Sequence, residues 1–152
     1  MQEGPASPFF VGSLITSVVG AALLLATDFA GWSSSTSGGG ITVEASGYIG
    51  LLTVYFPLIA VLSGTLLYCG YVSFTALRHP EQSPDPRYID LAYKGSVAVF
   101  STVLVGALVF ATIMLTNEPD DWWLDSGFYG GMIGSLLTAV LLRLGLQRLS
   151  AY

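Results

Sequence analysis

The chain has 152 residues, 53% of them hydrophobic and 10% charged, with a mean hydropathy of +0.68 and a formal net charge of −5. Soluble domains are about a quarter charged, so water is not the main solvent of this one. Five Lys and Arg in all exclude an electropositive nucleic-acid surface, and a lone Cys69 excludes an internal disulfide and lacks partners for zinc or iron–sulfur binding. The length suits one compact unit, and no Pro/Ser/Gly linker is long enough to divide residues 1–152 into two domains.

Uncharged windows come next, because a helix needs roughly 17 to 25 apolar residues to cross a bilayer. The first runs from Phe9 to Thr27 and ends at Asp28. Only Glu3 is charged ahead of it, so it lacks the basic start of a cleaved signal peptide and reads as a retained span. A second window is uncharged from Ala45 to Leu77, longer than one crossing requires but short for two crossings and a turn. One long helix is therefore expected there, bent near Pro57, which removes a backbone donor.

Asp85 and Pro86 make a helix start, with Asp as N-cap and Pro in the first turn, ahead of an uncharged core from Gly95 to Asn117. The last window, Ser126 to Leu142, is short, but Arg143 can snorkel at one end and Trp122 with Trp123 can anchor the other. The predicted architecture is all-α: an integral membrane four-helix bundle with spans near 9–30, 48–77, 90–116 and 124–147.

Cations set the orientation. Arg78, Arg87 and Lys94 flank the connection between spans two and three, and Arg143 and Arg148 follow span four. The positive-inside rule makes that side cytoplasmic, with both termini on it, in a multi-pass protein of the cell membrane. The opposite side carries Asp28, Glu44, Glu118, Asp120, Asp121 and Asp125 without a single cation.

Helices gain little from hydrophobicity when they pack in lipid, so small residues that permit close approach are the readable signal. Gly127, Gly131, Ser135 and Ala139 recur every four residues in span four, and Gly130, Gly134 and Thr138 form a parallel row. Gly127, Gly130, Gly131, Gly134 and Ser135 are thus candidates for tight packing, either within the bundle or against another subunit. Trp32, Trp122 and Trp123 are candidate interfacial anchors, and Glu118, Asp120, Asp121 and Asp125 define a solvated acidic outer loop.

Chemistry is sparse. His79 is the only histidine and lies outside the spans, so neither two axial haem ligands nor a two-histidine metal site can form in one chain. Walker, dinucleotide-binding and HExxH signatures are missing, and the acidic loop lacks the ordered ligands and turn glycine of an EF-hand. No ionisable residue interrupts a window, which leaves proton-coupled transport without a carrier group, although Ser63, Thr65, Tyr68 and Tyr71 are polar enough to line a passive pore. The expectation is a chain without enzymatic activity, cofactor or metal. It acts as a structural or accessory subunit, or scaffold, alongside further copies or other membrane subunits. The alternative is a homo-oligomeric channel or passive transporter with an acidic outer mouth.

A purely acidic outer face also suits concentrated salt, where screening limits mutual repulsion of carboxylates. Stability in detergent is expected to rise from low to multimolar salt; a melting temperature indifferent to salt would count against this.

Overall fold

The computed structural model describes residues 7–50, 53, 55–78 and 86–150. Its helices are α1 (Ser7–Ala26), α2 (Phe56–Arg78), α3 (Pro86–Asn117) and α4 (Ser126–Ser150), and its strands are β1 (Ala30–Gly38), β2 (Ile41–Ile49) and β3 (Asp121–Leu124). All four helices are long and apolar enough to cross a membrane. The Arg and Lys positions gather at one end: Arg78 closes α2, Arg87 and Lys94 lie in the first turns of α3, and Arg143 and Arg148 in the last turns of α4. A three-stranded antiparallel sheet of order β2-β1-β3 sits at the other end.

The sheet corrects the all-α expectation, and the second window is where the difference arises. Residues 41–49 form β2, α2 begins only at Phe56, and no single long helix spans the window. Pro57 therefore lies in the first turn of α2, where its missing N–H costs nothing, and it kinks no helix. Gly39 and Gly40, with φ of 62° and 82°, form the two-residue turn that reverses β1 into β2. Because β2 holds Glu44 as its only charge, its residues from Ala45 onward are continuous in uncharged length with the following helix. The ends of spans one and four shift as well, since Ala30 belongs to β1 and Leu124 to β3.

Around the bundle, α1 packs along both α2 and α4, and α3 packs along α4 and more loosely along α2, while α2 and α4 scarcely meet. The α1–α4 contact is the closest. A Cβ placed on Gly134 would lie 2.9 Å from the Gly20 Cα and 3.0 Å from the Thr16 carbonyl oxygen, and one on Gly20 would lie 3.1 Å from the Gly130 carbonyl oxygen. Backbone meets backbone here, as small residues in lipid-embedded helices allow.

Two clusters fill the interior. Ala21, Leu24, Leu66, Val103, Phe110 and Phe128 belong to the one beneath the sheet, whereas Phe10, Cys69, Ile89 and Leu142 belong to the one toward the cationic end. Between the helices run hydroxyl bonds: Ser13 to Ser73, Thr16 to Thr138 at 2.8 Å, and Ser96 to the Ser135 carbonyl at 2.6 Å. The Cys69 thiol donates to the Ala92 carbonyl at 3.2 Å, so the lone cysteine acts as a small packing group between α2 and α3. Such bonds contribute on average about 0.6 kcal/mol each in a membrane interior, enough to select which helix faces which.

Helix α3 is 32 residues long, about 48 Å, and exceeds the bilayer core of about 30 Å. Its Gly106 lies beside Phe29, just past the end of α1, so the turns beyond Gly106 overshoot α1 and form a wall for the sheet. The helix closes with the Glu118 N–H bonded to the Met114 carbonyl at 2.9 Å, Glu118 in the left-handed region at φ 49°, and Pro119 barring continuation.

Gly134→Val, which drives a side chain into backbone that cannot yield, is expected to cost about 1–3 kcal/mol and to loosen α1 from α4. Denaturant titration of the purified protein in mild detergent reads this directly; unchanged stability would mean that the helices do not touch here.

Candidate interaction surface at the sheet end

The sheet is assembled by backbone bonds that continue the helix contacts below it. Gly127 donates to the Asp28 carbonyl at 3.0 Å, Asp125 to the Phe29 carbonyl at 2.9 Å, and Phe29 to the Ile49 carbonyl at 2.7 Å. A Cβ on Gly127 would stand 2.7 Å from the Asp28 oxygen, so only glycine lets α4 begin this close to the end of α1. Asp125 caps α4, its carboxylate accepting from the Ser126 N–H at 2.7 Å. Thr53 organises the entry to α2, its hydroxyl donating to the Gly50 carbonyl at 2.6 Å.

Strand alternation gives the sheet two unlike faces. Trp32, Ile49, Trp122 and Leu124 share one face and pack onto the apolar cluster of the bundle, with Trp122 edge-on to Phe110 at 6.0 Å between ring centroids. By the same alternation Ala45, Val43 and Ile41 continue that face past the bundle, where Val43 and Ile41 are 60% and 68% exposed. The other face carries Ser33, Ser35, Ser37, Thr42, Glu44, Ser46, Tyr48, Asp121 and Trp123.

Aromatic rings lie over glycines on both faces. Trp32 lies over Gly47, its paired residue, with the indole nitrogen 2.5 Å from where a Cβ would stand; Trp123 covers Gly31 on the opposite face at 2.6 Å. A ring stacked on a bare backbone locks the strand register that a glycine would otherwise loosen. Among the sequence-derived anchors, Trp32 and Trp122 are thus turned toward the core, and Trp123 is the half-exposed one. It shares the sheet end with exposed Tyr48, Tyr55 and Tyr129, while Tyr71 and Tyr88 are exposed at the cationic end, an aromatic distribution typical of membrane interfaces.

The acidic residues do different jobs rather than forming one loop. Asp121 pairs with Ser33 in β3, so the segment before α4 is strand. Glu118 ends α3 and Asp125 starts α4. Asp120 accepts from the Ser35 N–H at 2.6 Å and the Ser35 hydroxyl at 3.0 Å. Where β3 stops, a carboxylate thus takes over the ladder and satisfies the next edge group of β1. These two bonds hold the Asp120 carboxyl below the ordinary carboxylate range. Among the described residues no three His, Cys, Asp or Glu converge as a metal site.

The small residues of α4 are occupied within the chain: Gly131 faces Leu24, Gly130 faces Leu23, Gly134 faces Gly20, and Ser135 accepts from Ser96. Beside them an apolar groove of about 470 Å³ opens sideways between α1 and α4, lined by Ile15, Val19, Tyr129, Ile133 and Leu137 among others. A second cavity of about 200 Å³ opens between α2 and α3, under Phe29 and Ile49. The polar groups of α2 that were candidates for a pore have different surroundings, with Tyr68 partly buried against the cluster toward the cationic end. Ser63 is buried, Thr65 donates to the Val61 carbonyl of its own helix, and Tyr71 is exposed on the outer surface. His79 and Asp85 lie outside the described residues.

Compared with known proteins, the chain matches no family model, no curated protein and no solved structure.

A carboxyl whose pKa is lowered by folding supports the fold above the ordinary carboxylate range and loses that support as pH falls through the lowered value. Protection of the Ser35 amide from hydrogen exchange is therefore expected to persist through the ordinary carboxylate range and to vanish at lower pH. In Asp120→Ala it should be absent at every pH; retained protection there would show that Asp120 does not hold the strand.

Proposed function

We propose that the chain is a non-catalytic structural or accessory component of a membrane assembly, whose bundle anchors an outer sheet for contact with other proteins. The positive-inside rule places its cationic end and both termini in the cytoplasm and the sheet outside the cell membrane. One contrast carries the reading. The four helices spend the glycines of α4 and the hydroxyls of Ser13, Ser73, Thr16, Thr138 and Ser96 on one another around an interior filled by Leu24, Leu66, Val103 and Leu142, whereas the hairpin of β1 and β2 projects uncovered. Catalysis would want convergent ionisable groups, and permeation would want a polar lumen. The groups that remain available are instead a strand edge and an apolar strip, which are features of contact surfaces.

Docking through the glycine face of α4, one of the two options that the sequence left open, loses its support because α1 already covers that face. Assembly contacts fall to the sheet end instead.

Gentle extraction from native membranes followed by mass determination should find the chain in a species larger than one copy. Liposomes containing the purified protein should show no specific ion flux. A strictly monomeric species, or a flux abolished by neutralising Asp120 and Asp121, would overturn the structural role in favour of a monomeric activity or a channel.

A further inference from the structure

We infer that the cavity between α2 and α3 holds one hydrocarbon chain of a membrane lipid, which enters sideways from the bilayer and lodges beneath the base of the sheet. Such a site requires only that the four helices span the bilayer, whatever the chain assembles with. The contact between α2 and α3 changes along its length. Toward the cationic end the two helices touch: the Cys69 thiol donates to the Ala92 carbonyl at 3.2 Å, and a Cβ on Gly95 would lie 3.0 Å from the Thr65 methyl. Toward the sheet the cavity of about 200 Å³ lies between them. A Cβ on Gly106, in its wall, would meet one atom within 4 Å, the Phe29 ring at 3.8 Å. Gly20 and Gly134 let backbones touch, whereas Gly106 leaves room.

The lining selects for hydrocarbon. Ile59, Val103 and Phe110 are buried and form the floor, whereas Leu58, Val109 and Ile113 are exposed and form the mouth. Water finds almost nothing to bond there, because the Thr102 hydroxyl already donates to the Ala98 carbonyl at 2.8 Å and Tyr55 stands at the exposed rim. Dry apolar cavities of about 150 Å³ already bind benzene-sized molecules.

Shape selects a single chain. On α3 the lining runs from Thr102 to Ile113, about 17 Å at about 1.5 Å per residue, close to half of a bilayer core of about 30 Å. A slot of this length and volume is too narrow for a helix, which is about 10 Å across with its side chains. Its mouth at Leu58 and Val109 opens where a chain of four spans meets acyl tails, so the lipid itself is the source. An occupant restores to the floor the dispersion contacts that a void withholds. Phe29 and Ile49 form the roof, and the backbone bond between them closes the base of the hairpin, so the bound chain supports the sheet as well.

Photolabelling tests this with the full chain in phosphatidylcholine vesicles, a trace phospholipid carrying a diazirine on one acyl chain, and peptide mapping of the adducts. The wild type is expected to carry adducts on Val103 and Phe110 of the floor, as well as on Val105 and Leu108, which are exposed on α3 outside the cavity. Gly106→Leu, which grows into the slot, should cut floor labelling roughly tenfold and leave Val105 and Leu108 unchanged. Its melting temperature should not fall, because a better helix former replaces a helix-interior glycine and its side chain enters open space. A floor left unlabelled in the wild type, whether the slot is empty or filled by a second protein, would overturn the site without recourse to the variant. Floor labelling that persists in folded Gly106→Leu would overturn it equally. A free fatty acid bearing the same diazirine, run in parallel, checks the source: floor adducts from it alone would overturn the membrane lipid as occupant.

Discussion

The contact between Gly20 and Gly134 is the constraint from which the rest of the molecule follows. Because two helix backbones touch there, the end of α1 and the start of α4 emerge side by side, and Asp28 falls against Gly127 with no room for a Cβ between them. The chain leaving α1 and the chain entering α4 then bond through Phe29 and Asp125, and β1 and β3 are already in register when they begin. A sheet at one end of the bundle is thus set by a packing event between helices. In lipid that packing is driven by close fit and by hydroxyl bonds such as Ser13–Ser73 and Thr16–Thr138, since burial of apolar surface offers little gain against surrounding acyl chains.

Backbone satisfaction explains why the fold divides as it does. Inside an apolar medium each N–H and C=O must be paired within its own segment, which leaves helices as the available form for these four stretches. Past the ends of α1 and α4 that constraint relaxes, and the chain turns to strands whose pairing is tertiary. The overshooting turns of α3 supply the missing hydrophobic support, with Phe110 and Met114 receiving Trp122 and its neighbours. A two-stranded hairpin is only marginally stable alone, so the wall of α3 and the short strand β3 are what allow the hairpin to project intact.

The asymmetry of the sheet edges gives the outer surface its character. Asp120 acts as a strand residue by proxy on the β1 side, and its own acidity is the by-product of that bond. On the other side β2 keeps its ladder groups unspent. The acidic residues therefore have separate structural duties in capping, pairing and strand termination, and their shared charge is a property of the surface rather than the design of a single site.

Composition and spacing alone determined that the chain has four lipid-compatible helices, that its cations gather at one end and leave the other purely acidic, and that small residues line α4, because these depend on local residue type and on bilayer thickness. Pro86 as a helix start was equally legible, since it acts on neighbouring backbone. The sheet was not, although the Gly39–Gly40 turn and the alternation around it were present as signals. Residues 45–49 of β2 carry no charge, and by charge alone they look the same as the helix that follows. Only the tertiary structure decided that Trp32 and Trp122 face inward, that Pro57 starts a helix instead of bending one, and that α1 consumes the glycine face. Each of those outcomes depends on which distant segment arrives alongside, and no local pattern encodes that.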